Sequence, residues 1–281
     1  MQKKIHALFF SPNGTTRQWT LAAAQGLGRA LDLPVDPVDI TYAARDKLTG
    51  GAYTADDLVV IGVPVYISYI PSMVYQYLQT VSGQDTPCML IAAFGNRDYG
   101  KSLEQLCRIV SEKGFIPVGA AAFSSRHCMA PAINAARPCP TDLAEAAGFA
   151  KRVGEKLSAR GARAMALTTA DFPAKKSINR EEDLIAYPRR RGRTSLGLLP
   201  GTGPQLVGSC TQCGRCAQAC PTGAIDNCGR TVQPELCLNC CACIAACPEK
   251  ALDIPELREF RAKCVEKFSA PLRPNSFFCK D

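Results

Sequence analysis

Two stretches of the chain carry thiols at one shared spacing. "CTQCGRCAQACP" runs from Cys210 to Pro221 and "CLNCCACIAACP" from Cys237 to Pro248, so C-x-x-C-x-x-C-x-x-x-C-P is written twice. The chain has 16 cysteines. Those that the shared spacing does not include are at positions 88, 107, 128, 139, 228, 241, 264 and 279. Three thiols in one short wrap, with a fourth three residues further on, suit metal ligation, because the ligating form of cysteine is the thiolate. The wrap needs a tight backbone turn, which Gly214 and the small residues between the cysteines permit. Zinc favours two separated C-x-x-C pairs, so it fits this spacing poorly. A secreted disulfide framework would need an export signal, whereas "MQKKIHALFFSPNG" has a short apolar run that turn residues interrupt, and reads as a first strand. No run approaches the roughly 18 apolar residues of a spanning helix. A soluble cytoplasmic protein is expected, in a reducing compartment where dense cysteine means metal.

The repeat resembles the two-cluster bacterial ferredoxins over about fifty residues. In proteins with this run the fourth cysteine completes the other cluster. The resemblance implies one [4Fe-4S] cluster on Cys210, Cys213, Cys216 and Cys247, and a second on Cys237, Cys240, Cys243 and Cys220. Pro221 and Pro248 then turn the chain out of the site. Cys228 and Cys241 fall outside the spacing and read as ordinary small residues. With no histidine in the repeat, low-potential carriers are implied rather than Rieske centres.

Composition limits what surrounds this module. At 281 residues the chain has room for two domains. Hydrophobic residues make up 47% and charged residues 21%, within the globular range. The formal net charge of +8 would suit an anionic partner, yet ligating thiolates and cluster iron lower it by about 4, and a flavin phosphate by roughly 2 more. Nucleic-acid binding is therefore not expected.

The remaining chain divides into zones. Residues 1–160 alternate strand and helix patterns. Apolar runs at 5–10, 34–40, 57–66, 87–95 and 115–123 read as strands. Helical patterns fall at 15–31, 71–81, 101–114 and 141–160, the last with Thr141 as its cap. The continuous Val/Ile run at 57–66 is what a strand buried on both faces requires. A doubly wound α/β domain with a five-stranded parallel sheet follows. Residues 161–205 read as a linker, with "RRRGR" (189–193) as a solvated face. Residues 206–255 form a small α+β ferredoxin-like domain, and residues 256–281 a helical tail that packs back on the body.

In a doubly wound sheet the ligand lies outside the carboxyl ends of the strands, so the loops after strands one, three and four should converge. The first, "SPNGTTR", offers Ser11, Asn13, Gly14, Thr15 and Thr16 at a helix start, a cradle for a dianionic phosphate. The second supplies Pro64, Val65, Tyr66 and Ile67, with Tyr69 beyond. The third supplies Phe94, Gly95, Asn96 and Tyr99. Tyrosine rings suit stacking on a flat heterocycle, and Gly95 and Asn96 let backbone approach its polar edge.

These loops resemble those of flavodoxins. The resemblance implies FMN, its phosphate on "SPNGTT" and its ring between the second and third loops, with Tyr99 stacked on it. Arg17 and Arg97 depart from the family pattern and favour the anionic reduced flavin. The whole chain is similar to the fused flavodoxin–ferredoxin proteins of anaerobic bacteria and archaea, which implies electron transfer between the clusters and FMN. Two alternatives remain: an FMN-dependent reductase of a quinone, a flavin or another small acceptor, and a cluster-bearing sensor without flavin. No catalytic side chain is assigned. His6 falls on a buried strand, and His127 beside Cys128 reads as a solvated loop residue. The expected partner is a redox protein or a small electron acceptor, and the oligomeric state is open, a homodimer included.

Overall fold

The structure is a computed structural model that describes residues 3–175, 202–226 and 231–281. The strands are β1 (Ile5–Phe9), β2 (Val35–Asp39), β3 (Leu58–Pro64), β4 (Thr86–Phe94) and β5 (Phe115–Ser124), all mutually parallel. They lie in the order β5-β4-β3-β1-β2. That is the flavodoxin-like doubly wound order, with its switch point between β1 and β3. β3 shows why its sequence is apolar throughout: all of its residues are buried.

Helices cover both faces. On one side α1 (Thr15–Leu31) and α4 (Pro140–Arg160) bury Trp19, Ala23, Leu27, Phe149 and Val153 against Ile5, Val60 and Ile91. Trp19 stacks on Phe123 with ring centroids 4.2 Å apart, and its Nε1–H donates to Ser125 Oγ at 2.7 Å. The two helices meet at Gly26, where a Cβ would lie 2.1 Å from the Ala147 carbonyl oxygen. On the other side α2 (Ser72–Leu78) and α3 (Ser102–Glu112) bury Met73, Leu78, Leu103 and Leu106 against Ile61 and Leu90.

Three details differ from the sequence expectation. The cap of α4 is Cys139 rather than Thr141: its N–H donates to Asp142 Oδ2 at 2.8 Å, and Pro140 takes the first helical position. The stretch expected to begin a linker packs on the body, with Met165 and Leu167 buried and the Leu167 N–H donating to the Pro117 carbonyl at 2.7 Å. Most of 161–205, including 189–193, lies outside the described residues, as does Cys228. Finally, the tail is not only helical. After α5 (Arg258–Phe268) the chain returns as β6 (Ser276–Phe278), which pairs antiparallel with β5 and gives the sheet a sixth strand.

The thiol-bearing segments are built from short pieces: one-turn helices at Arg215–Gln218 and Ala242–Ala246 and an antiparallel ribbon of Gln205–Leu206 with Leu252–Asp253. They are not a separate body. Leu238, Cys240 and Ala242 belong to the same hydrophobic cluster as Ile61 and Leu90 of the main sheet.

Candidate functional site

The two copies of the repeat fold alike, position for position. Gln212 and Asn239, the second residues after Cys210 and Cys237, both sit at positive φ (56° and 53°) and turn their N–H groups onto those sulfurs at 3.4 Å. Gly214 and Cys241 occupy one equivalent position, again at positive φ (73° and 59°), and each opens the following one-turn helix. Ala224 and Ala251 donate backbone N–H groups to Cys220 and Cys247 at 3.2 and 3.3 Å. Donors aimed at sulfur stabilise the charge of a ligating thiolate. Cys241, read from sequence as an ordinary small residue, therefore fills the left-handed turn position that glycine fills in the first copy.

The eight repeat cysteines surround two small cavities. Cys210, Cys213, Cys216 and Cys247 line one, and Cys220, Cys237, Cys240 and Cys243 line the other, together with Cys241. Among the described residues no group of three or more His, Cys, Asp or Glu is arranged to hold a metal ion. In a cubane each thiolate binds a different iron, so the donors surround the cluster instead of converging on one point. Four repeat thiols around each cavity are the ligand chemistry a [4Fe-4S] cluster takes; Glu249 also lines the first cavity and Cys241 the second. Burial pushes the Cys237, Cys240 and Cys243 thiols above their usual value. Positive charge from bound metal is what would offset that penalty. The two cavities differ in setting. Cys213 is exposed in the first, while Cys220, Cys237 and Cys240 are all buried in the second.

A third, larger cavity of about 480 Å³ opens at the carboxyl edge of the sheet. Its walls come from the loops after β1, β3, β4 and β5, from the second thiol segment and from α5. Among the residues expected to bind a ligand, Asn13, Thr15, Thr16, Pro64, Val65, Tyr66, Ile67, Phe94 and Gly95 line it. Ser11, Gly14, Asn96 and Tyr99 do not. Ser11 Oγ instead accepts the Arg17 N–H at 2.9 Å, capping α1, while Gly14 supplies the left-handed turn before it (φ 80°). Asn96 is buried, its amide donating to the Phe268 carbonyl at 2.6 Å and accepting from the Arg273 N–H at 2.7 Å. It fastens the tail to the β4 loop.

Tyr99 is the clearest correction. Its ring packs edge-on to Phe94 and Phe278, with Lys175 over it at 4.6 Å, and is 5% exposed. Strand β6 brings Phe278, so the tail holds this ring in the core. Tyr69 is likewise buried, its backbone pairing with Tyr66 across a turn whose central residues, Ile67 and Ser68, both have positive φ (53° and 74°). A β-branched residue in that region is strained, and here it lines the cavity. Tyr66 does line it, and burial, then the nearby Cys128, Cys240 and Cys241, pushes its hydroxyl well above the usual 10.

Sequence reasoning missed half of this wall. Ser125, Arg126, His127, Cys128 and Met129 follow β5, Leu238 and Asn239 lie between Cys237 and Cys240, and Phe260, Cys264 and Phe268 come from α5. The β5 loop was within reach, because it ends at the same sheet edge as the other three. Asn13 shows how the parts join: its amide donates to the Cys240 carbonyl at 2.8 Å. Arg45 reaches the Gln218 carbonyl at 3.1 Å. Arg261 donates to the Met129 carbonyl at 2.9 Å and pairs with Asp253.

A family model described as a 4Fe-4S binding domain matches residues 207–226. The chain carries a 4Fe-4S binding segment. No curated protein matches it. Among solved structures, the α/β body is similar to a flavodoxin from the domain Archaea (12% identity, 56% of this chain and 99% of that one, TM-score 0.38). It is also similar to a Streptococcus pneumonia TIGR4 flavodoxin (18%, 56% and 99%, TM-score 0.39) and to an azoreductase from Bacillus anthracis (12%, 56% and 100%, TM-score 0.36). The flavodoxin-like fold stands on the strand order observed in this chain. No helix among the described residues is long and apolar enough to cross a membrane.

Proposed function

We propose that this protein is an electron-transfer flavoprotein in which residues 1–160 hold FMN and residues 206–255 hold two [4Fe-4S] clusters. When bound, the clusters would carry single electrons and the flavin one or two. The observation that carries the reading is a shared wall: Leu238 and Asn239, flanked by Cys237 and Cys240, line the cavity that the β1 and β3 loops also line. The volume of that cavity falls in the range of a single small-ligand site. Asn13, Thr15 and Thr16, at the amino end of α1, are suited to a phosphate, and Pro64 to Ile67 with Phe94 and Gly95 to a planar ring. Cys210, Cys213, Cys216 and Cys247 would hold the cluster nearer solvent, and Cys220, Cys237, Cys240 and Cys243 the one nearer the flavin.

The test is anaerobic reconstitution with iron, sulfide and FMN, followed by metal analysis and visible and EPR spectra. About eight irons and one flavin per chain are expected. Protein that takes up iron but no flavin would support the sensor reading instead.

A second reading has a specific observation in its favour. Arg97, Asp98 and Arg126 line the cavity and are exposed, which leaves a charged mouth through which a small acceptor could reach the ring. Steady-state turnover separates the two readings, since a carrier shows no saturable preference among small acceptors.

A further inference from the structure

The β5 loop places one group in the large cavity that the electron-carrier reading leaves unused. His127 Nδ1 accepts the backbone N–H groups of Met129 and Ala130, each at 3.2 Å. The His127 backbone N–H donates to the Ile133 carbonyl at 3.1 Å. The ring rests on Gly95, where a Cβ would come within 2.6 Å of the imidazole Cδ2. His127 is therefore fixed at its backbone, at one ring nitrogen and at one ring edge.

A lone pair that accepts two N–H groups carries no proton, so the imidazole is held as the tautomer with hydrogen on Nε2. Burial, and next the charge of Arg97, brings its pKa down to about 4. At neutral pH the ring is an uncharged donor. Nε2 has no hydrogen-bond partner among the described residues, and the side chain lines the cavity. The charged groups on the same wall are Arg97, Arg126 and Asp98. Asp98 is engaged by Lys175 at 3.0 Å and by the Gly100 N–H at 2.6 Å. Neither arginine pairs with a carboxylate among the described residues, and Arg97 lies over the Phe268 ring. This wall offers donors and positive charge, with its one carboxylate already neutralised.

We propose that His127 is a positioning residue that donates a fixed hydrogen bond from Nε2 to the ligand of this cavity, favouring a ligand edge that gains negative charge on reduction. The inference rests on the flavin reading above. The pyrimidine edge of a flavin is such an edge, and a neutral donor can stabilise its charge without surrendering a proton. A donor of this kind binds the reduced ligand more tightly than the oxidised one and so raises the midpoint potential.

The experiment compares reconstituted wild type with His127→Ala and His127→Gln by redox titration of bound FMN, alongside 15N NMR of histidine-labelled protein. His127→Ala should lose about tenfold in the preference for reduced over oxidised FMN, a shift of about 30 mV to lower potential for a two-electron couple. His127→Gln, which can present an amide N–H, should recover most of it. The NMR spectrum should show the Nε2–H tautomer from pH 5.5 to 8. FMN bound at one common potential in all three proteins would overturn the proposal, as would an Nδ1–H tautomer or a charged ring at pH 7. Wild type that binds no FMN would overturn both this inference and the flavin reading, an outcome distinct from binding with unchanged potential.

Discussion

The side-chain amide of Asn13, in the turn before α1, donates to the main-chain carbonyl of Cys240 at 2.8 Å. One end of that bond lies in the loop suited to a phosphate and the other in a thiol-bearing loop. Removing it with Asn13→Ala should cost about 0.5–1.5 kcal/mol in the reconstituted protein. Asn13→Asp should cost more, because a carboxylate would then face a carbonyl with no donor between them. Thermal unfolding followed by cluster absorbance reads both, and a melting point in Asn13→Asp equal to wild type would show that the bond joins nothing of consequence.

The shared wall makes the two sets of cysteines unequal. Cys240→Ser should release iron and also weaken FMN binding by about 5–150-fold, the range of a moderate coupling energy, because Leu238 and Asn239 lose their anchor. Cys213→Ser lies on the exposed side and should lose iron with FMN affinity nearly unchanged. Iron analysis and flavin fluorescence quenching on the same samples check the contrast. Equal effects from the two substitutions would contradict it.

Much of this arrangement was legible in the sequence. Buried parallel strands must be apolar throughout, which is why "DLVVIGVPVY" located β3, and α1 keeps the span of its apolar period from Thr15 to Leu31. The repeated cysteine spacing was legible as local sequence, and the resemblance to two-cluster ferredoxins implied the two sets of four thiols that line the small cavities, each with one member from the other copy. What stayed hidden depends on long-range return of the chain. Tyr99 is drawn into the core by Phe278, 179 positions later in a tail expected only as a helix, and Asn96 is occupied by the Phe268 carbonyl. His127 is set by hydrogen bonds to its own loop, a local geometry that leaves no period in the sequence.

The tail strand should matter for stability. Phe277 packs against Phe123 and Phe149, at centroid distances of 5.8 and 4.7 Å. Phe277→Ala should cost about 1.5–3 kcal/mol, the worth of one large apolar side chain. Deleting 276–281 should do more, because it leaves the polar edge of β5 unpaired, and an open edge invites association. Chemical denaturation measures the first effect and light scattering the second. A truncated protein that is monomeric and as stable as wild type would show that β6 is dispensable.

Gly95 has little room for change. A Cβ would meet the His127 ring at 2.6 Å from Cδ2 and 2.8 Å from Cγ, and the His127 Cα at 3.1 Å. The ring is held from behind by the Met129 and Ala130 N–H groups, so Gly95→Ala must break those bonds or displace the loop. The expected outcome is weaker ligand binding together with a destabilisation of about 1–3 kcal/mol, the usual cost of overpacking. Parallel denaturation and FMN titration check both parts.

The acid limb of stability should report the cap of α4. Burial alone would raise the Asp142 carboxyl, but hydrogen bonds from Arg137 and from the Cys139 N–H outweigh it and hold the group below its usual 3.8. A carboxyl depressed in the folded state stabilises the fold fully above its unfolded value, and that contribution disappears as pH falls through the lower folded value. Asp142→Asn should therefore be less stable than wild type at pH 7, with the gap narrowing below about pH 4. Because the ion pair with Arg137 is only 16% and 14% exposed on its two sides, added salt should screen it less than a surface pair. Urea midpoints for both proteins from pH 7 to pH 3 measure the convergence, and a gap that stays constant over that interval would assign the loss to side-chain shape instead of charge.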